Sequence, residues 1–169
     1  MTTMTETETL NGARLARMIR RKVDEFKLAG RDIDEERAGR APEGRWTPKE
    51  IASHLCGPEG TGIMPPVKAY LEQDTPRLDL VIEDPFYTGK RPDMSLAALL
   101  AEFESEYGRL IEVVKGLTPE QLQRKARIPV FKETPLGEYP TLGEYLGGMA
   151  EFHLGFHTEH LKEVLQEMA

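Results

Sequence analysis

A run of apolar residues at helical spacing leaves this chain little choice of architecture: Leu96, Leu99, Leu100, Phe103, Tyr107, Leu110, Ile111 and Val114. Recurrence every three or four positions gathers them on one stripe of an α-helix, whereas a strand would scatter them over both faces. Ser95 precedes the run as an N-cap and Gly116 ends it. A stripe this wide has to be covered by other apolar faces, so the chain must supply partner helices.

Three partners are legible. Leu15, Ile19, Val23 and Phe26 predict an amphipathic helix from about Thr9 to Leu28. Gly30 marks its end or a weak point, with Asp32 to Ala38 able to carry it further. Trp46-Thr47-Pro48-Lys49-Glu50 combines a Thr N-cap, Pro in the first helical position and Glu three residues after the cap. The helix it opens carries Ile51, His54 and Leu55 on one face. Regular helix becomes doubtful from Gly57-Pro58 through Pro66, and a helical run from Val67 to about Gln73 resumes the direction. The last helix begins at Thr141, again with a Glu, Glu144, three residues on.

Between these lie a long loop, Asp74 to Asp93, and a short helical turn opened by Thr118-Pro119-Glu120-Gln121. Loops of that length in compact domains often act as lids or binding segments. Arg127 to Pro140 reads as an irregular connection in which Ile128-Pro129-Val130-Phe131 is extended. With no convincing pair of strands and no internal repeat, the expected fold is all-α, a four-helix bundle. The 169 residues make a single domain, with residues 1–8 frayed or disordered.

Composition narrows the function classes. The net charge of −7 argues against general affinity for nucleic-acid phosphates. Arg14, Arg17, Arg20, Arg21 and Lys22 cluster, but with Asp24 and Glu25 beside them they read as a solvated helix face. No stretch approaches the ~18 consecutive apolar residues of a membrane span. Met1 to Glu8 lacks the basic-then-apolar order of a secretory signal. The single Cys56 leaves no internal disulfide and fits a reducing cytoplasm.

The chemistry concentrates in histidine. Of the four in the chain, three fall in Glu151-Phe152-His153-Leu154-Gly155-Phe156-His157-Thr158-Glu159-His160. At about 100° per residue, His153, His157 and His160 share a stripe roughly 60° wide, which Leu142, Tyr145, Met149 and Phe156 continue. His153 and His157 project from successive turns and can grip one ion, with His54 adding a nitrogen from a neighbouring helix. Three protein ligands leave positions open for water or substrate, the catalytic rather than the structural pattern. The rival reading is isolated core histidines bonded to carbonyls, and four histidines on inward faces favour the metal.

His160 lies nearer the middle of the apolar stripe than His157. It is either a ligand or a residue that fixes another ring's tautomer, the latter being favoured. Cys56 faces about 200° away from His54 and is a packed or half-exposed thiol. His153-Leu154-Gly155-Phe156-His157 lacks the Glu of HExxH metalloproteases. Gly57-Pro58-Glu59-Gly60-Thr61-Gly62 has neither the preceding strand nor the following Lys-Ser/Thr of a phosphate loop.

Two segments resemble the DinB/YfiT-like family of metal-dependent enzymes. They are Trp46-Thr47-Pro48-Lys49-Glu50-Ile51-Ala52-Ser53-His54-Leu55, and Thr141-Leu142-Gly143-Glu144-Tyr145-Leu146 leading into His153 and His157. The resemblance implies an up-down-down-up bundle, with His54, His153 and His157 ligating a divalent metal, commonly zinc or nickel. It also implies a homodimer and a small-molecule substrate. Family members transfer low-molecular-weight thiols onto electrophiles, and others are described as metal-dependent hydrolases. Thiol-dependent S-transfer is therefore the first expectation, with a low-molecular-weight thiol as co-substrate. Hydrolysis by metal-activated water is the alternative, and a non-enzymatic bundle binding metal or a small ligand is the third. The sequence departs from the family pattern at His160, where Gln is often found, and in the Gly/Pro-rich stretch after His54, where the helix is usually longer.

Overall fold

The computed structural model describes residues 11–169. The expected fraying of residues 1–8, and the first two residues of the expected opening helix, lie outside the described residues. Helix α1 (Gly12–Ala29) starts where the Asn11 side chain accepts the Arg14 backbone N–H, and buries Leu15, Ile19, Val23 and Phe26. It does not run on to Ala38. Asp32 adopts φ 63°, a left-handed conformation that stops a helix, and the separate turn α2 (Glu35–Ala38) is capped by Asp34.

Helix α3 (Pro48–Leu55) opens with the complete capping box of Thr47 and Glu50. Helix α4 (Met64–Glu72) begins three residues ahead of the expected Val67. Pro65 and Pro66 fall in its first turn, where backbone N–H groups have no intrahelical acceptor, so proline costs no hydrogen bond there. Helix α5 (Leu96–Val114) is the long central stripe, and α6 (Pro119–Leu122) the short turn after it. The last rod is α7 (Leu142–Gly148), a π-helical segment (Met149–Leu154) and α8 (Gly155–Glu167) in one continuous run.

Helix α1 packs on α5 and on the α7–α8 rod, and α3 packs on the same two. The four rods therefore form a bundle in which α1 and α3 stand across one diagonal. Their directions follow from what meets what. Gly12 lies against the Val114 carbonyl and Gly30 against Leu100, so α1 and α5 are antiparallel. Cys56 Sγ reaches the Leu99 carbonyl and the Ile63 N–H donates to Glu106, so the chain through α3 runs parallel to α5. Arg45 pairs with Glu167, and His54 meets His153, so α3 and the last rod are antiparallel. The order is up-down-down-up, as the resemblance implies.

The parallel pair requires a long return from α3 to α5, which α4 and the loop after it provide. Among the described residues no strand forms; isolated bridges tie Arg77 to Arg127 and Lys125 to Thr141 instead. Ile128 to Phe131 is not extended as expected. Pro129 opens a 3₁₀ turn, closed by the Lys132 N–H donating to the Pro129 carbonyl at 3.1 Å.

The core holds Phe26 against Phe103 edge-on, with centroids 5.1 Å apart. Cys56 is fully buried, so the packed alternative holds for it. The early basic cluster is partly an interhelix clamp. Arg20 and Lys27 both reach Glu104, at 2.6 and 2.7 Å, and Arg20 chiefly holds the Glu104 carboxyl down to about 2. Among the described residues no helix is long and apolar enough to cross a membrane.

Candidate metal centre

The π-helical segment decides which histidines face inward. Its i→i+5 bonding puts one more residue in a turn than an α-helix does, so every later side chain slips around the rod relative to the α-helical phase. Gly147 and Gly148 lead into it, where helical propensity is weakest. Before the slip, Leu142, Tyr145 and Leu146 are buried; after it Leu154, Thr158 and Leu161 take the core. Phe156, expected on the inward stripe, is 65% exposed. His157 is 6% exposed while His160 is only half-buried, reversing their expected order.

His54, His153 and His157 converge. Their ring centroids are 5.0 Å apart for His54–His153, 4.6 Å for His54–His157 and 4.9 Å for His153–His157. One nitrogen from each ring lies within 4.8 Å of the other two, close enough for a shared ion at ~2 Å bond lengths. Ring orientation comes from outside the trio. His54 Nδ1 donates to the Asp84 carbonyl at 2.7 Å, which leaves Nε2 as the lone-pair atom. That Nε2 is buried and has no hydrogen-bond partner among the described residues. A buried polar atom without a partner is costly, and a cation between the three rings would satisfy it.

His160 does not join the trio. Its Nδ1 lies 3.3 Å from Nδ1 of His157, so the two imidazoles share a proton contact that fixes the His157 ring. Burial favours the neutral form of all four histidines. It pushes His153 down to about 4, with His54 assisting. His157 falls to about 2, through burial first and then through His153, His54 and His160. His54 is lowered by burial against the opposing pull of the Asp84 carbonyl, and His160 by burial and then Arg45. Neutral imidazoles are what a metal requires.

The long loop, expected to be a lid or binding segment, lines the cleft with residues 79–83 and Phe86. Phe86 stacks parallel on His54 at 5.9 Å, and its left-handed backbone (φ 52°) is held by the Asp84 carboxylate accepting its N–H at 2.7 Å. Arg91, fully buried, ties this loop to the end of α3. It donates to the Ser53 carbonyl (3.1 Å), the Gly57 carbonyl and the Phe86 carbonyl (3.3 Å), and pairs with Glu102 at 2.8 Å. Nothing in the sequence around Arg91 marks it, because its partners come from three separate segments. Trp46, in the sequence the residue before a helix cap and the start of the first family-like segment, lies 5.2 Å from His54 and parallel to His157 at 6.2 Å.

The trio lies in the wall of a cleft of about 1050 Å³, which Trp46, Phe86, Phe152, Phe156 and the loop residues Leu80 to Ile82 also line. Arg45, Asp79 and Glu83 are its charged lining. The three imidazoles thus face an open, largely apolar cleft with room beside them for a small molecule.

Fold and site together define an up-down-down-up four-helix bundle with three histidines from two rods meeting in a cleft. Among solved structures the chain is similar to YfiT from Bacillus subtilis, reported as "a probable metal-dependent hydrolase with an unusual four-helix bundle topology". The TM-score is 0.76 at 20% sequence identity, over 95% of this chain and 91% of that one. At that identity the likeness establishes the fold, and it meets the resemblance drawn from the two sequence segments. No family model matches the chain, and no curated protein does.

Proposed function

We propose that this protein is a metal-dependent hydrolase in which His54, His153 and His157 hold a divalent ion, with zinc or nickel suiting three imidazole nitrogens. The observation that carries the proposal is the unpartnered Nε2 of His54, buried in a trio of neutral rings that opens on a substrate-sized cleft. The solved structure of the same fold, reported as a probable metal-dependent hydrolase, supports it. When bound, the ion supplies Lewis acidity and lowers the pKa of water toward neutrality.

The chain's own residues do the rest. The Asp84 carbonyl and His160 orient His54 and His157. Phe86 and Trp46 shield the rings from bulk solvent. Glu83, and Asp79 paired with Arg77 at 3.0 Å, are the carboxylates that line the cleft and the candidates to accept a proton from water. Water adds across an ester or amide; its oxygen joins the acyl carbon and its proton leaves with the alcohol or amine.

S-transfer from a low-molecular-weight thiol, the first expectation from the sequence, rests on the family resemblance alone and stands behind hydrolysis. Cys56 offers no thiol of its own, since burial first, and Glu102 next, raise its pKa well above the usual range. The homodimer implied by the resemblance belongs to the proposal as well, and sedimentation equilibrium checks it.

The test uses full-length protein loaded with zinc or nickel. Stoichiometric metal, lost in His54→Ala with the helical circular dichroism intact, supports the centre. Ester or amide cleavage that needs the metal and no thiol supports hydrolysis. Turnover only with an added thiol would replace hydrolysis by transfer, and absence of bound metal would remove both.

A further inference from the structure

The cleft extends well past the histidines, and the reason lies in the backbone. Helix α3 stops at Leu55, and the bundle position it would have filled is taken by the turn-rich Gly57–Ile63 segment. Gly62 makes that possible: at φ 70° it lies directly against the Glu106 carboxylate, where a Cβ would collide. Gly57, Pro58, Thr61, Gly62, Ile63 and Pro65 wall this deeper part of the cavity.

Two tyrosines face it. Tyr107 on α5 sits at the level of Ile63, beyond the end of α3, and Tyr145 is eight residues before His153 on the last rod. At 1.5 Å per residue Tyr145 is about 12 Å from the trio along the rod. Tyr107 is 1% and Tyr145 8% exposed, and both line the cavity. Tyr70, next to Tyr145 at 5.6 Å, donates its hydroxyl to the Pro140 carbonyl. The hydroxyls of Tyr107 and Tyr145 make no hydrogen bond with any described residue. Two hydroxyls without a protein partner on one cavity wall are free to donate to an acceptor bound in the cleft. Burial raises both tyrosines well above the usual range, so they stay protonated and act as donors.

On the histidine side the cleft carries exposed apolar side chains between its few charged ones. Val81, Ile82, Phe152 and Phe156 are all exposed and all line the same cleft, Phe152 at 70%. A small polar metabolite would leave that surface wet.

We infer that the cleft is built for an elongated, mainly apolar acyl ester or amide that carries a second oxygen acceptor, a carbonyl or ether, about 12 Å from the bond placed at the histidines, where Tyr107 and Tyr145 receive it. The inference rests on the hydrolase reading for its near end and on the tyrosine pair for its far end. It makes chain length, and not only the reacting group, a determinant of specificity.

The experiment measures binding of straight-chain alkyl hydroxamates of increasing length, each with and without a terminal ketone, to the zinc-loaded protein. Trp46, the single tryptophan and part of the cleft wall, supplies the fluorescence signal. At one matched length the ketone should tighten Kd about five- to tenfold, the worth of one or two buried hydrogen bonds. Tyr107→Phe with Tyr145→Phe should erase that gain and leave the plain alkyl compound unaffected. Each substitution removes only an unpartnered hydroxyl, so thermal stability should hold or rise, whereas a structural role would lower it. If the plain hydroxamates bind and no length gains from the ketone, or the gain survives in the double variant, the inference falls alone. If plain hydroxamates do not bind the zinc-loaded wild type, the hydrolase reading falls and takes the inference with it.

Discussion

In the metal-free protein, lowering the pH from 7 to 5 should remove roughly 4 kcal/mol of folding stability through His153 and His157 alone. An unfolded histidine titrates near 6.5, while the folded rings titrate near 4 and 2. Folding therefore favours the neutral form. The full stability is present above the unfolded value and is lost as the pH falls from 6.5 toward the folded values, because the unfolded chain takes up protons that the native site refuses. Each site contributes about 1.4 kcal/mol per pH unit in that window, hence about 2 kcal/mol by pH 5, and His54 acts in the same direction. Glu104, lowered to about 2, loses its contribution only below its ordinary value near 4.5, so it stays outside the window. Urea unfolding in the presence of a chelator, followed by far-UV circular dichroism at pH 7, 6 and 5, reads the effect. His157→Leu should halve it. A change below about 1 kcal/mol would refute the claim that these rings are held neutral by burial. Saturating zinc should raise stability at pH 7 and steepen the dependence, because protons and metal compete for the same nitrogens.

Arg91→Met should cost about 3 kcal/mol, since three backbone carbonyls and Glu102 lose a common donor. Hydrogen exchange should show the loop around Phe86 loosening before the rods do, and uniform protection would argue against its role as a tie. Gly62→Ala should lower stability by about 1–3 kcal/mol, because φ 70° disfavours a side chain and the added Cβ meets Glu106; an unchanged Tm would contradict the packing assigned to the deep wall. His160→Phe should weaken metal binding about 10-fold or more while keeping its stoichiometry, because His160 positions the His157 ring without being a ligand; loss of stoichiometric metal would make it a ligand.

Features of this chain whose physics is local are legible in its residues alone. The caps at Thr47–Glu50, Ser95 and Thr141–Glu144 formed where expected, because each joins groups three residues apart. The apolar stripe of α5 was legible for the same reason, and a bundle had to follow from it. The three ligand candidates were readable because two lie a helical turn apart and the third follows a strong helix start. Tertiary structure decided the rest. The slip of the last rod turns Phe156 outward and exchanges the burial of His157 and His160, since a π-helical turn depends on packing that no α-helical periodicity encodes. Asp84 beneath His54, Arg91 beneath the loop and the open hydroxyls of Tyr107 and Tyr145 owe their roles to segments distant in sequence. Backbone carbonyls and cavity walls leave no residue-type signature, so only the folded chain could place them.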